Sequence, residues 1–410
     1  MANTGFTVNG VDVSNSGSFV PKSYLMDRYP ELATAYKNAG MWTWGYNGQG
    51  QLADNTRVNK SSPVQTIAGG TNWNFVTTLG GSGGDIGAGI KTDGTLWTWG
   101  NNTRGTLGDG TIASKSSPVQ TSSGGTTWKQ VSVGAGTAGA IKTDGTLWVW
   151  GYNTWGQLGN NTTNPTNSGV SAPAQITGGG TNWKQVAVGS QNMFAIKTDG
   201  TLWGWGYNGY GQLGSGNLTN RSAVTQIGAL TTWKYLSVST SNIAAIATDG
   251  TLWCWGQNFY GGCGDNTSVS RSSPVQTISG GTNWKTVHVN KGSTYGIKND
   301  GTLWTWGNNS YGQLGDNTIV NKSSPVQTVS GGTNWYRVNA SMRTVGAIKT
   351  DGTLWLWGEN GWGQLGDGTI VNKSSPIQTL AGGTNWKRVS AGYVVYAIRD
   401  DSADFGIGTL

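Results

Sequence analysis

A repeat of about 51 residues constrains the fold of this chain more than any other feature of its sequence. The motif Trp-x-Trp-Gly occurs seven times, with successive copies 50 to 55 residues apart. The copies begin at Trp42, Trp97, Trp148, Trp203, Trp253, Trp304 and Trp355. Each unit also carries a marker tryptophan at the end of a Gly-Thr-Asn-Trp-like segment: Trp73, Trp128, Trp183, Trp233, Trp284, Trp335 and Trp386. A fixed period of this length is typical of architectures in which each unit is one supersecondary element.

The pattern inside one unit predicts about four short strands. An Asp-Gly pair precedes Thr-Leu-Trp-x-Trp, as at Asp93-Gly94, and predicts a tight hairpin with a type I′ turn. Asn- and Gly-rich loops follow, and then a Ser-Ser-Pro-Val-Gln-Thr run with its proline expected at a strand start. Four strands in about 51 residues match a propeller blade better than a solenoid repeat.

The two ends of the repeat array complement each other. The first copy lacks the hairpin before Trp42, and the last copy contains the hairpin strand up to Asp401 but no Trp-x-Trp. Pairing the first strands with the last would complete one blade and remove exposed sheet edges. We therefore expect an all-β, seven-bladed β-propeller over residues 41–401, with an N-terminal arm or helix module at residues 1–40 and a tail at residues 402–410.

Composition supports this fold class and excludes several others. There are 69 glycines and 23 tryptophans in 410 residues, and only 11% of the residues are charged, which excludes a long-helix protein. An aromatic content of 10% is too high for a disordered chain. No apolar stretch is long enough to span a membrane, no secretory signal is visible, and two cysteines cannot form a disulfide framework.

Residues 1–40 differ from the repeats and are expected to form a docking module. Residues 6–13 predict a short strand pair or an extended arm, and residues 30–39 predict a short helix capped by Gly40. The candidate docking residues are Phe6, Val8, Phe19, Tyr24, Tyr29 and Tyr36. The alternative is a plug packed against the propeller. The segment has three lysines or arginines and three acidic residues, which argues against a basic DNA- or histone-binding tail.

No constellation of residues indicates an enzyme, a cofactor site or a metal site. The chain has one histidine, His288, and no nucleophile or phosphate-loop motif. Most aspartates follow turns, where their side chains bond their own backbone. The net charge of +7 comes mainly from lysines at repeat positions, which favours solvated rings of mixed charge over a nucleic-acid site.

One variable position, just before Gly-Gln-Leu or its equivalent in each unit, is the best candidate for specificity. It is occupied by Gln49, Arg104, Trp155, Tyr210, Tyr260, Tyr311 and Trp362. Tyrosine and tryptophan on loops are favoured contacts for proteins and glycans. The alternative is that these side chains cover the outer end of a neighbouring blade.

The run Asp-Gly-Thr-Leu-Trp-x-Trp-Gly-x-Asn-x-x-Gly-Gln-Leu-Gly-Asp resembles the regulator of chromosome condensation repeat family over residues 42 to about 401. The resemblance implies a seven-bladed propeller. The founding member is an exchange factor for a Ras-like nuclear GTPase and binds chromatin, but the family's usual histidine before the second strand is absent from all seven repeats. In its Trp-x-Trp pairs and its low charge, the chain is similar to repeat proteins of bacteriophages and environmental bacteria.

Three functions stay open, all of them non-enzymatic. The favoured one is a structural component of a bacteriophage virion, such as a decoration or fibre protein, attached to other virion or assembly proteins through residues 1–40. Its loops would then be free to contact a host-surface glycan or protein. The second is a lectin that uses Trp155, Tyr210, Tyr260, Tyr311 and Trp362. A GTPase-exchange or chromatin factor ranks last. The expected location is the virion, or alternatively the cytoplasm, and neither membranes nor nucleic acids are expected partners.

Overall fold

The computed structural model describes residues 7–8, 11–12, 39–66, 72–79, 86–164, 169–178, 180–278 and 281–400. Contacts divide the chain into two compact units, one of residues 39–400 and one of residues 1–38 with 401–410. Every regular element in these ranges is a β-strand. No helix that could cross a membrane is present in the described ranges.

In the N-terminal unit, the described residues form one strand pair. Strand β1 (Thr7–Val8) pairs antiparallel with β2 (Val11–Asp12), and Val8 lies opposite Val11. This confirms the predicted strand pair. The candidate docking residues Phe6, Phe19, Tyr24, Tyr29 and Tyr36 lie outside the described residues, so their role stays a prediction.

The second unit is the predicted seven-bladed propeller, and its first and last strands share the closing blade. That blade has the order β29-β30-β3-β4. Its strands are β3 (Ala39–Gly45), β4 (Lys60–Gln65), β29 (Trp386–Ser390) and β30 (Val394–Asp400). The pairing of β3 with β30 runs without interruption from Ala39 opposite Asp400 to Gly45 opposite Val394. The predicted closure is therefore confirmed.

The other six blades each consist of four consecutive antiparallel strands. Blade 1 contains β5 (Trp73–Leu79), β6 (Ile86–Lys91), β7 (Leu96–Gly100) and β8 (Lys115–Gln120). Blade 2 contains β9 (Trp128–Val133), β10 (Thr137–Lys142), β11 (Leu147–Gly151) and β12 (Val170–Gln175). Blade 3 contains β13 (Trp183–Val188), β14 (Asn192–Lys197), β15 (Leu202–Gly206) and β16 (Arg221–Gln226).

The second half of the chain repeats the same pattern. Blade 4 contains β17 (Trp233–Val238), β18 (Asn242–Ala247), β19 (Leu252–Gly256) and β20 (Arg271–Gln276). Blade 5 contains β21 (Trp284–Val289), β22 (Ser293–Lys298), β23 (Leu303–Gly307) and β24 (Lys322–Gln327). Blade 6 contains β25 (Trp335–Ser341), β26 (Thr344–Lys349), β27 (Leu354–Gly358) and β28 (Lys373–Gln378).

The strand directions give the propeller two chemically distinct ends. The inner strand of each blade begins at its marker tryptophan, next to the Asp-Gly turn that joins the second and third strands; Trp128, for example, pairs with Lys142. We call this the hairpin end. The long loops between the third and fourth strands lie at the opposite end, which we call the loop end.

The hairpin turns differ from the predicted type I′ geometry. In the turn of blade 5, Gly301 has a φ of 80°, whereas no hairpin aspartate is among the described residues with positive φ. The Gly301 N–H donates to Lys298 O, and the Lys298 N–H donates to Thr302 O. These bonds define a three-residue loop in which only the final glycine needs positive φ. The type I′ prediction was therefore wrong.

Two further sequence predictions were wrong. Ala39 and Gly40 begin β3 instead of ending a helix, because their pairing with Asp400 and Arg399 supplies backbone hydrogen bonds that a helix end would lack. The proline of the Ser-Ser-Pro run, such as Pro63, is the fourth residue of its strand and not the first. It is tolerated there because this strand is the outer edge of its blade and needs no donor on the open side.

Tryptophans hold the blades together. The second tryptophan of each Trp-x-Trp pair is fully buried, and its indole N–H donates to a backbone carbonyl in the loop of the preceding blade at 2.7–2.9 Å. The bond from Trp44 to Gln364 O joins the first and last copies in the same way. The first tryptophan of each pair is only half-buried.

Candidate functional site

Each long loop at the loop end is built around one buried asparagine. In blade 5, Asn309 Nδ2 donates to Asp316 Oδ1 at 3.0 Å and to the carbonyl oxygens of Thr318 and Val320 at 3.1 and 3.2 Å. Its Oδ1 accepts a hydrogen bond from Leu314 N at 2.9 Å. The equivalent residues are Asn47, Asn102, Asn153, Asn208, Asn258 and Asn360. The asparagine recurs in the Trp-Gly-x-Asn sequence, so its role was available from the repeat but was not predicted.

The aspartates act as turn formers, as predicted. Asp316 Oδ1 accepts from Thr318 N at 3.0 Å, and Asp300 Oδ1 accepts from Thr302 N at 2.9 Å. Hydrogen bonds from Thr302 lower the pKa of Asp300. Among the described residues, no group of three or more histidine, cysteine or acidic side chains is placed to hold a metal ion.

The seven candidate interaction residues lie at the loop end, one in each blade. Their backbone is held by the glutamine two positions later; for example, Trp362 N donates to Gln364 Oε1 at 2.8 Å. The same bond holds Gln49, Trp155, Tyr210 and Tyr311. Arg104 and Tyr260 lack it because Thr106 and Gly262 replace the glutamine. The loop side chains are thus presented from a largely fixed backbone.

These side chains reach the neighbouring blade and also remain accessible. Trp362 lies 5.1 Å from Tyr46, measured between ring centres, and the Arg104 guanidinium carbon lies 4.4 Å from the centre of the Tyr152 ring. Trp362 and Tyr260 nevertheless each keep 44% of their surface exposed. The covering role considered from the sequence therefore applies, and it leaves aromatic surface open to solvent.

Three blades share a continuous line of aromatic rings, which we call the aromatic arc: Trp155, Tyr207, Tyr210 and Phe259. Successive ring centres are 5.0, 6.3 and 6.0 Å apart. Phe259 is 57% exposed and Tyr210 is 38% exposed. Tyr207 and Phe259 were missed because they lie three residues and one residue before the variable position and not at it. The arc joins residues of blades 2, 3 and 4 into one apolar surface.

Exposed aliphatic side chains also lie in the long loops of six of the seven blades. They lie in the second half of the long loops and are between 59% and 68% exposed. They are Val58, Ile112, Leu218, Val269, Ile319, Val320, Ile370 and Val371. Apolar exposure repeated around one end of a protein is typical of a contact surface.

The hairpin turns carry the expected mixed charge, since hydrogen bonds from Thr146 and the positive charge of Lys142 lower the pKa of Asp144. The lysines are nevertheless half-buried against tryptophan rings and not fully solvated. Lys142 Nζ lies 4.8 Å from the ring centre of Trp128 and 4.1 Å from that of Trp148, so the ammonium group covers both rings. The same arrangement is found at Lys91, Lys197, Lys298 and Lys349, and Arg399 takes this place in the closing blade. Blade 4 has Ala247 at the lysine position, and its Trp253 is half-buried as well.

A central channel of about 330 Å³ runs between the seven inner strands. It is lined mainly by the second, third and fourth residues after each marker tryptophan. Two glutamines at the second position join neighbouring inner strands: Gln185 Nε2 donates to Leu236 O at 2.7 Å, and Gln185 Oε1 accepts from Leu236 N at 3.0 Å. Gln130 makes the same pair of bonds to Val186.

The single histidine is part of this channel wall. His288, at the fourth position, accepts a hydrogen bond at Nδ1 from Ala340 N at 3.2 Å. Asn339 and Ser390 accept from the next inner strand in the same way. Burial lowers the pKa of His288 to about 4, so the imidazole is neutral at pH 7. His288 therefore serves as a structural acceptor between blades.

Sequence comparison connects this architecture to known proteins. The ultraviolet-B receptor UVR8 of Arabidopsis thaliana is 28% identical over 340 residues, which are 82% of this chain and 64% of the receptor. The E3 ubiquitin-protein ligase HERC2 of Mus musculus is 27% identical over 392 residues, which are 90% of this chain but 8% of the ligase. The chain thus spans less than two thirds of these relatives.

Solved structures share the fold at lower identity. Human WBSCR16 superposes with a TM-score of 0.76 at 18% identity, covering 88% of this chain and 98% of that protein. Prp20p of Saccharomyces cerevisiae gives a TM-score of 0.75 at 16% identity, covering 89% and 93%. The similarity to repeat proteins of bacteriophages and environmental bacteria stays a prediction.

Two family matches cover most of the repeats. The regulator of chromosome condensation (RCC1) repeat family matches residues 351–394. The RCC1-like domain family matches residues 32–329, well over half of the chain. Together with the seven blades, this match establishes that the chain belongs to the family of RCC1-like domains.

Proposed function

We propose that this chain is a non-enzymatic binding protein whose loop end takes a protein partner. The observation that carries the proposal is the aromatic arc, in which Tyr210 and Phe259 are exposed although most other aromatic rings of the described residues are buried or half-buried. Tyrosine and tryptophan are enriched among the residues that contribute most to protein interfaces. The asparagine-centred loops hold these rings in place, so little conformational entropy is lost on binding.

A related fold supports protein binding as the general function. Prp20p of Saccharomyces cerevisiae was described together with its binding to Gsp1p and histones. We extend only the use of an RCC1-like propeller as a protein-binding body to this chain, and not those two partners. A nucleotide-exchange assay tests the lower-ranked exchange-factor hypothesis, for which no acceleration is expected.

Photo-crosslinking tests the proposed surface. A benzophenone amino acid at Phe259 is expected to capture one protein from the source cells, and Tyr210→Ala in the same chain is expected to reduce that product by about tenfold, as for a central interface residue. The matched control places the probe at Tyr336, which is 41% exposed and directly follows the marker Trp335 at the hairpin end. Equal capture at the two positions would contradict the proposal.

Glycan binding is a second candidate, favoured by the exposed ring faces of Tyr260 and Trp362. A glycan array compares the unaltered protein with a variant in which Trp155, Tyr210, Tyr260, Tyr311 and Trp362 are all alanine. Binding that the variant loses would favour a lectin. An array signal that the variant retains would remove the lectin hypothesis.

Residence in a bacteriophage virion, with residues 1–40 as the attachment segment, stays a prediction, as does the cytoplasmic alternative. Mass spectrometry of purified particles tests it directly. Sedimentation with the particles in fixed stoichiometry, abolished by deleting residues 1–38, would support the prediction. Recovery only in the soluble fraction would contradict it.

A further inference from the structure

The second position of the inner strands is not uniform around the channel. Going from blade 1 to the closing blade, it holds Phe75, Gln130, Gln185, Tyr235, Thr286, Arg337 and Arg388. The two glutamines bond both the N–H and the C=O of the next inner strand. Arginine has five donors and no acceptor, so Arg337 and Arg388 cannot reproduce the acceptor half of that bond. The bonds that glutamine makes to the next inner strand therefore do not explain why arginine occupies this position in the last two blades.

The two arginines place like charges together in a partly buried site. Burial lowers the pKa of Arg388, and the nearby positive charge of Arg337 lowers it further. The residues that line the channel include these two arginines and His288 but no aspartate or glutamate. None of the ion pairs among the described residues involves either arginine. Two neighbouring cations without a counter-charge are unfavourable unless an anion joins them.

Donors without acceptors lie at the same place. Arg337 Nε and Thr286 Oγ1 are buried and have no hydrogen-bond partner among the described residues. The aromatic contacts of the arginines do not use these donors: the Arg388 guanidinium carbon lies 5.2 Å from the Phe75 ring centre, and that of Arg337 lies 4.8 Å from the Tyr336 ring centre. Arg337 Nη2 donates to the Tyr336 hydroxyl oxygen at 3.3 Å, which leaves Nε and the other N–H groups of Arg337 available for an oxygen ligand.

A ring of lysines surrounds the channel at the hairpin end. The first position after the marker tryptophan is exposed in every blade. Lysine occupies five of these seven positions: Lys129, Lys184, Lys234, Lys285 and Lys387. Lys285 Nζ lies 5.6 Å from the ring centre of Tyr336, the first-position residue of the next blade, so neighbouring side chains meet around the channel mouth. No ion pair of the described residues includes these lysines.

We propose that the hairpin end of the channel binds a small oligophosphate anion, held by Arg337 and Arg388 and drawn in by the surrounding lysines. Phosphate oxygens match the spacing of guanidinium N–H pairs, and adjacent phosphate groups supply the two or more negative charges that two arginines require. The ligand is small because seven strands enclose a cavity of about 330 Å³. This site lies at the opposite end from the aromatic arc and goes beyond the proposed protein-binding function.

Calorimetric titration of the full chain with inorganic pyrophosphate, at low ionic strength, tests the proposal. Arg337→Gln and Arg388→Gln are each expected to weaken binding by about tenfold or more, as for loss of a charge-assisted bidentate contact. Glutamine is the natural residue at positions 130 and 185, so these variants should gain the interblade amide bonds and keep the fold. The thermal midpoint of the unaltered protein should rise with pyrophosphate, and that of the double variant should not.

Lys129→Gln is the matched control, because it removes one positive charge from the mouth but none from the arginine pair. It should weaken binding by less than about threefold, and added salt should reduce the difference. Equal weakening by Lys129→Gln and Arg388→Gln would mean general charge attraction and would overturn the site. Binding that survives both arginine changes, or no binding by the unaltered protein at about 10 mM pyrophosphate, would overturn it as well.

Discussion

The two ends of the propeller come from the same repeat and yet expose opposite chemistry. At the loop end, five lysines or arginines of the described ranges pair with carboxylates, as in Arg271 with Asp265 at 2.6 Å, and much of the exposed surface is aromatic and aliphatic. At the hairpin end, lysines lie over tryptophan rings and near the turn aspartates, or surround the channel without an ion pair among the described residues. Because antiparallel strands alternate direction, turns and long loops separate to opposite ends. One repeat can therefore carry two surfaces, and residues of one surface can be substituted without changing the other.

The largest expected difference between the ends concerns the two tryptophans of one Trp-x-Trp pair. Trp150→Ala should lower the free energy of unfolding by about 3–5 kcal/mol, because it empties a buried site and removes the N–H bond to Thr106 O. Trp148→Ala, at the half-buried hairpin-end position, should cost about half as much. Urea unfolding of both variants measures the contrast, and equal losses would show that the ends are equally packed.

The channel offers a smaller contrast, between neutral His288 in its loop-end half and the arginines in its hairpin-end half. His288 has a pKa of about 4 when folded, whereas an unfolded histidine has about 6.5, so the unfolded chain binds more protons between these values. Above pH 6.5 this difference does not lower the free energy of unfolding, and its effect grows as the pH falls towards 4. At pH 5 the free energy of unfolding should be lower by about 2 kcal/mol.

His288→Asn is the matched variant for this measurement. Asparagine can accept the next strand's N–H through its side-chain oxygen, as Asn339 does from Ala391 N at 2.9 Å, but it does not titrate. Chemical unfolding at pH 5 and pH 7 should therefore show a steeper loss for the unaltered protein than for His288→Asn. The same pH dependence in both proteins would show that His288 is not held neutral by the fold.

The smallest expected effect separates the two kinds of hairpin-end lysine. Lys142→Met removes a cation that covers Trp128 and Trp148 and should cost about 0.5–1 kcal/mol. Lys129→Met, at an exposed position of the channel mouth, should change stability by less than about 0.5 kcal/mol. Thermal unfolding of the pair measures the difference. A larger loss for Lys129→Met would mean that the channel lysines support the fold.

The blade count and the ring closure were predictable because tryptophan spacing and the incomplete first and last copies are properties of the sequence itself. The turn type was not, since Asp-Gly fits both a two-residue type I′ loop and a three-residue loop that needs positive φ only at its glycine. Contacts between blades were the main feature that the sequence did not reveal. Arg337 and Arg388 are 51 residues apart and occupy equivalent positions, so only their alignment within the repeat could have revealed a shared site. Phe259 was missed for the opposite reason, because its position is not aromatic in the other repeats.

The closing blade has a mechanical consequence. Ala39 and Asp400 face each other at one end of the β3–β30 pairing, so the chain enters and leaves the ring at the same point. A force that separates these two residues would break the hydrogen bonds between β3 and β30 one after another, starting at this end, and would not act on all of them at once. The ring should therefore open at low force when it is pulled at Ala39 and Asp400. A pull on two other blades should need a higher force, because no chain end lies between their strands.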